Sequence, residues 1–327
     1  MSLEVRDLRV VIDGRAVVDG ISFRVEDGER VGLIGESGSG KSLTALAILG
    51  LLPDGAVATG SIRVDGEEVV GASDRDVARL RGSRVGIVFQ EPRSSFNPIR
   101  SIGRQLADPV RRFAGVSRTE AAARAVELAR LVRLPDPQAI VRRYPHQVSG
   151  GQLQRAAIAL ALAGSPRLLI ADEPTTALDV TIQAEILDLF DRLVGELGTG
   201  LLFITHDLAV LRRIADRAVV LQNGAIVEDG TVDDLVHRPR TELVRRLVAS
   251  ARATSWSATA GAPDAAETPG ERGTPGMPTT PGAPGAPRAP TAPGEPEIPD
   301  MPGAPDMPGT SGIPVLDDAP TDEEGSR

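Results

Sequence analysis

Gly35-Glu36-Ser37-Gly38-Ser39-Gly40-Lys41-Ser42 is the stretch on which the reading of this chain turns. Its spacing is GxxxxGK[ST], in which glycines let successive backbone N–H groups turn inward around an anion. The flanks agree with that use. Val31-Gly32-Leu33-Ile34 before it is an apolar run of strand length. Leu43 to Leu52 after it, closed by Pro53, reads as a helix whose N-terminus adds positive potential. Gly35 to Ser42, with Leu43 behind them, are thus a phosphate cradle. Lys41 would neutralise the β- and γ-phosphates of a nucleotide, and the Ser42 hydroxyl would ligate Mg2+.

Composition singles out one member of this loop. Of 36 basic residues, 35 are arginine, and Lys41 is the only lysine. A site that refuses the planar guanidinium fork needs a compact ammonium instead.

Working outward, Leu3, Val5, Leu8 and Val10 recur at strand-like intervals, Asp13-Gly14 marks a turn, and Ala16 to Val25 is a second strand-like segment. Later apolar runs at Val85–Phe89, Leu168–Ala171, Leu201–Ile204 and Ala218–Leu221 fit the buried strands of a mainly parallel sheet. Ala121, Ala125, Leu128 and Leu131, at spacings of three and four, mark helix between about Ser101 and Tyr144. The class is α/β, with a nucleotide-binding P-loop core, an antiparallel β subdomain and a helical subdomain at about 91–163.

Asp172 and Glu173 close the apolar run Leu168-Leu169-Ile170-Ala171. Carboxylates at the C-terminal end of a buried strand stand where open α/β sheets bind ligands. Asp172 suits Mg2+ through its water shell, and Glu173 suits a general base for an attacking water. Further upstream, Ser149-Gly150-Gly151-Gln152 opens a helix that runs to Ala163 and stops before Gly164 and Pro166. That is a second anion-binding terminus in one chain. Its simplest physical use is to serve a different nucleotide across a dimer interface.

Ser149-Gly150-Gly151-Gln152, shortly before the Asp172-Glu173 strand, resembles the signature motif of the ATP-binding cassette (ABC) ATPases. The resemblance extends through the body. Gln90 matches the glutamine that senses Mg2+ and nucleotide, Ala177-Leu178-Asp179 matches the D-loop, and His206 matches the switch histidine. The family implies two ATPase subunits, identical or paralogous, that sandwich two Mg·ATP. Lys41, Ser42, Gln90, Asp172, Glu173 and His206 then act from one side, and Ser149, Gly151 and Gln152 from the other. The family's adenine-stacking aromatic aligns with Ile12, an aliphatic side chain that covers the base without stacking.

Glu91-Pro92-Arg93-Ser94-Ser95-Phe96-Asn97-Pro98, then Ile102-Gly103, and Ala171-Asp172-Glu173-Pro174-Thr175-Thr176-Ala177-Leu178-Asp179-Val180-Thr181 are similar to segments of peptide and nickel importer ATPases. That likeness implies two integral membrane permease subunits, an extracytoplasmic solute-binding protein acting indirectly, and a peripheral location on the cytoplasmic face of the membrane. It also implies that Phe96 and its neighbours form the groove for the permease coupling helix. A soluble ABC ATPase acting on nucleic acid or ribosomes, or an exporter subunit, remains an alternative at this point. A P-loop kinase or GTPase would not explain Ser149–Gln152 or His206.

The remaining features bound the reading. With no cysteine, disulfides, thiolate metal sites and cysteine nucleophiles are excluded. The start, Met1 to Asp7, is charged where a signal peptide would be apolar, and no run of about 18 apolar residues offers a membrane span. The net charge of −9 falls entirely beyond residue 252, leaving a neutral body of 33 basic and 33 acidic residues, without the footprint of a nucleic-acid binder. Sixteen of the 26 prolines also lie beyond residue 252. Residues 253–327 therefore read as an acidic, disordered tail of polyproline-II character, and residues 1–252 as the ATPase domain.

Overall fold

The structure, a computed structural model, describes residues 2–176 and 178–259, with side chains through residue 253. Strands β1 (Leu3–Ile12), β2 (Arg15–Val25) and β3 (Arg30–Gly35) come first, then helix α1 (Lys41–Ile48). They are followed by β4 (Val57–Val64), β5 (Glu67–Glu68), α2 (Asp74–Leu80) and β6 (Val85–Val88). Every element between residues 91 and 163 is helical: 3-10 turns at Pro92–Ser95 and Pro145–Gln147, and α3 (Ile102–Ala114), α4 (Arg118–Leu131), α5 (Pro137–Ile140) and α6 (Gly150–Leu162). The chain continues through β7 (Leu168–Asp172), α7 (Val180–Leu197), β8 (Gly200–Thr205), α8 (Leu208–Ile214), β9 (Arg217–Gln222) and β10 (Ala225–Thr231). It ends with α9 (Val232–His237) and α10 (Glu242–Thr259). Helix α10 crosses residue 252; from residue 260 the expected tail lies outside the described residues.

Two sheets result. One is antiparallel, in the order β2-β1-β4-β5; the other runs β10-β9-β3-β8-β7-β6, parallel except for the edge strand β10. Alternation along the parallel strands shows why they are apolar throughout. Leu201 and Phe203 of β8, Leu169 and Ala171 of β7, and Ala218 and Val220 of β9 face a core shared with α3–α10. Their neighbours Leu202, Ile204, Leu168, Ile170, Val219 and Leu221 face a second core made with α1, α2 and the antiparallel sheet. Both faces of the central sheet are covered, so the period-2 signal disappears into continuous apolar runs. Each fully buried Leu, Ile, Val or Phe among them contributes roughly 1.5–3 kcal/mol relative to exposure. Arg217 ties the sheets at one end, its guanidinium donating to Glu29 at 3.0 Å, to Asp229 at 2.8 Å and to the Arg24 carbonyl at 2.6 Å.

Two expectations are corrected. The helix after the phosphate loop spans Lys41–Ile48, starting earlier and ending sooner than Leu43–Leu52. It stops because Gly50 is left-handed (φ 60°), and the Leu51 N–H turns back to the Leu46 carbonyl at 2.8 Å. Phe96 does not line an open groove. It is 6% exposed and packs in the core beneath the helical segment, whereas Ile99 presents 81% of its surface.

Candidate active site

β3 lies between β8 and β9, at the point where the order of the parallel strands reverses. The ends of β3, β7 and β8 therefore bring the phosphate loop, Asp172, Glu173 and His206 to one edge of the sheet.

The loop's geometry demands its glycines. Gly40 caps α1 in a left-handed conformation (φ 103°), and a Cβ there would lie 3.1 Å from the Val17 carbonyl oxygen. At Gly35 a Cβ would lie 2.3 Å from the Leu221 carbonyl oxygen and 2.6 Å from Ser39 Oγ. Glu36, Ser37 and Gly38 form an exposed lip, while Ser39, Gly40 and Lys41 are buried beneath it. Lys41 Nζ donates to the carbonyls of Gly35 and Glu36, both at 2.9 Å, holding the loop in its turned form. Burial lowers the Lys41 pKa below 10.5, and the nearby carboxylates of Glu173 and Asp172 counteract that shift.

Ser42 Oγ, in the first turn of α1, donates to Asp172 Oδ1 at 3.3 Å. Burial pushes the Asp172 carboxyl above its usual 3.8, with Glu173 adding to the shift and Ser42 and Lys41 opposing it. Such an acid, beside a hydroxyl and an ammonium, has the donor chemistry of a phosphate-bound Mg2+ site. That ion takes one or two protein oxygens and fills its octahedron with phosphate and water. The buried Ser39 hydroxyl has no hydrogen-bond partner among the described residues, and a phosphate oxygen in the cradle would accept its proton. These residues fit a Mg2+-nucleotide.

Glu173 adopts a left-handed backbone (φ 46°), its N–H donating to the Ile204 carbonyl at 3.0 Å. That turn separates its side chain from the strand direction of Asp172. Its carboxylate accepts a hydrogen bond from Thr176 Oγ1 at 3.0 Å, and its other oxygen lies 3.2 Å from His206 Nδ1. Gly35, Glu36, Ser37, Glu173, His206 and Leu247 surround a recess of about 420 Å3.

Other expected site residues are elsewhere. Gln90 is exposed just beyond β6 and lines a neighbouring recess with Gly150, Pro174 and Leu178. Ser149 caps α6 by accepting from the Gln152 N–H at 3.3 Å, and Gln152 Oε1 accepts the Ser149 N–H at 3.1 Å. Gly151 lies against α7, where a Cβ would meet Ile182 Cγ2 at 2.9 Å. None of Ser149, Gly150, Gly151 and Gln152 lines the Glu173–His206 recess. Asp179 caps α7 through the Ile182 N–H at 2.9 Å. Ile12, at the end of β1, is partly buried against the core beside the antiparallel sheet.

Residues 18–176 match the ABC transporter family. The chain is 47% identical over 254 residues to a probable peptide ABC transporter ATP-binding protein of Sinorhizobium fredii, covering 76% of each chain. It is 44% identical over 254 residues to the oligopeptide transport ATP-binding protein OppD of Bacillus subtilis, covering 76% of this chain and 71% of that one. The chain belongs to the ABC transporter ATP-binding family. Among solved structures, this ABC ATPase is similar to the dimeric, post-hydrolysis form of the cassette MJ0796 bound to ADP and Pi. The TM-score is 0.63 at 28% identity, over 70% of this chain and 98% of that chain.

The structure of this ABC ATPase adds two participants that sequence reasoning missed. Thr176 stands three residues after Glu173, close enough to have been read as its partner had the left-handed turn been foreseen. Leu247 belongs to α10, far along the chain, and no local pattern links it to the phosphate loop.

Proposed function

We propose that this ABC ATPase energises the import of oligopeptides or dipeptides, with ATP bound by Gly35–Ser42 and hydrolysed at Glu173. The observation that carries the catalytic part is the Glu173 carboxylate, placed by a strand end and a left-handed turn, and held between Thr176 and His206 beside the phosphate loop. Glu173 is the general base that takes a proton from the attacking water. His206, with its Nδ1–H toward Glu173, orients that carboxylate. Ser42 and Asp172, with Gln90 moving in from the neighbouring recess, would hold Mg2+, which when bound neutralises charge on the β- and γ-phosphates. Lys41 exchanges its loop carbonyls for phosphate oxygens.

One chain holds half of each site. Ser149, Gly151 and Gln152 open α6 and do not line the Glu173 recess, so they serve the nucleotide of a second ATPase subunit, identical or paralogous. The MJ0796 cassette of similar structure is dimeric. Peptide transport is named for the relatives from Sinorhizobium and Bacillus. Two permease subunits and, indirectly, an extracytoplasmic solute-binding protein complete the importer, with this subunit peripheral on the cytoplasmic face. Among the described residues no helix is long and apolar enough to cross a membrane.

The test is purification of tagged Glu173→Gln from detergent-solubilised membranes in Mg·ATP. Two multi-span permeases should co-purify. Recovery of ribosomes or nucleic acid without an integral membrane protein would sink the transport assignment.

A further inference from the structure

A phosphate loop that carries a carboxylate meets an electrostatic obstacle, because ATP brings it a triphosphate of the same sign. Glu36 is that carboxylate, on the exposed lip of the loop. Lys41 does not reach it, being turned to the backbone carbonyls of Gly35 and Glu36. Asp172 and Glu173 add further negative charge nearby. The compensating cation comes from the other end of the domain: Arg246 Nη2 of α10 lies 2.9 Å from Glu36 Oε1. No other ion pair of Glu36 occurs among the described residues.

Helix α10 is held firmly enough to keep this arginine in place. Leu243, Val244 and Val248 are buried in the core beneath it. At its start, the buried Glu228 carboxylate accepts the N–H groups of Arg240 and Thr241, at 2.9 and 3.1 Å, and the Thr241 hydroxyl at 2.9 Å. Leu247, next to Arg246, walls the recess that holds Glu173 and His206.

We propose that Arg246 is a positioning residue of the nucleotide site. It neutralises Glu36 and pins the Glu36–Gly38 lip, so that the triphosphate enters a loop without opposing charge. Arg246 acts through Glu36 and does not touch phosphate. The proposal rests on the reading of Gly35–Ser42 as the nucleotide loop.

The test is equilibrium binding of a fluorescent ATP analogue to the full chain, with Mg2+, at two ionic strengths. Arg246 and Glu36 are 57% and 51% exposed, so the effect is that of a screened surface pair. Arg246→Ala should weaken binding about two- to fivefold at low salt, and less at about 0.5 M salt. The loss should be smaller for the ADP analogue, which carries less charge, and Arg246→Lys should restore most of the affinity. The deciding comparison is the double-mutant cycle: in a Glu36→Gln background, Arg246→Ala should change nothing. An equal loss in both backgrounds, or one insensitive to salt, overturns the proposal, because α10 would then act by packing or by direct phosphate contact. Lys41→Ala, measured alongside, should lose far more affinity than Arg246→Ala. If Lys41→Ala binds like wild type, the loop reading falls and the role of Arg246 with it. If Lys41→Ala fails while Arg246→Ala is normal, only the role of Arg246 falls.

Discussion

His206 Nδ1 lies 3.2 Å from Glu173 Oε1, and the two residues stand just beyond the ends of adjacent parallel strands, β8 and β7. The pairing is a product of register. Asp172 is aligned with Ile204, so the next residue on β7 and the second residue beyond Ile204 on β8 arrive at the same edge. Thr176 holds the other carboxylate oxygen.

Glu173→Gln should therefore keep the amide within reach of Thr176 and His206 while removing the base. Nucleotide binding is expected to persist, and phosphate release to fall by about 10²–10⁴. His206→Ala should lower release in the same direction while leaving Glu173 bonded to Thr176. A phosphate-release assay beside equilibrium binding checks both. Normal turnover of Glu173→Gln would remove Glu173 from its assigned role.

Asp172 is held in a site that disfavours its charged form. Burial raises its pKa above 3.8, so the folded protein holds that proton more tightly than the unfolded chain. The stability it contributes is full below pH 3.8 and is lost as pH rises through the raised value. Asp172→Asn removes that loss. Without nucleotide, the variant should match wild type in acid and become the more stable protein as pH rises to neutral, while Mg2+-dependent hydrolysis is lost. Thermal unfolding across the pH range reads the difference. A variant less stable at neutral pH would show that the Ser42 and Lys41 interactions outweigh burial.

Ile12 covers the core beside β2 without an aromatic face. Ile12→Phe should add base stacking, tightening adenine nucleotides about two- to tenfold, the span of an aromatic pair. The ratio of ATP to GTP affinity, measured for both proteins, shows whether residue 12 meets the base. An unchanged affinity would place the base elsewhere.

Glu228 is buried and accepts three hydrogen bonds at the start of α10. Glu228→Ala leaves two backbone N–H groups without their acceptor and should cost about 1–3 kcal/mol in denaturant unfolding. Because α10 carries Arg246, ATP binding by the folded variant should also weaken, in the direction of Arg246→Ala. Unfolding curves and binding measured on the same preparation distinguish the two effects.

Much of this site was legible in one dimension, because its parts are local patterns. The phosphate loop announces itself through glycines that need left-handed or crowded backbone, and Ser149 and Gln152 through the spacing of a helix cap. Errors arose where a side chain's environment is set by distant segments. Phe96 was expected to help form the groove for the permease coupling helix, yet it is buried by helices formed by residues further on. Likewise the helix of the phosphate loop was expected to run to Leu52, because a glycine such as Gly50 permits the left-handed turn that ends the helix without imposing it. Strands β4, β5 and β10 carry weaker alternation and gain their definition from partners such as β1, β4 and β9.

By itself the sequence determined the α/β class, the apolar runs that become the buried strands, and which side chains could carry the chemistry, since spacing and residue type specify local backbone and donor sets. Only the tertiary structure decided that Glu173 meets His206, that Ser149–Gln152 do not line that recess, and that Arg246 reaches Glu36. Those are relations between segments far apart in the chain, and they follow from strand register and core packing, which no local pattern records.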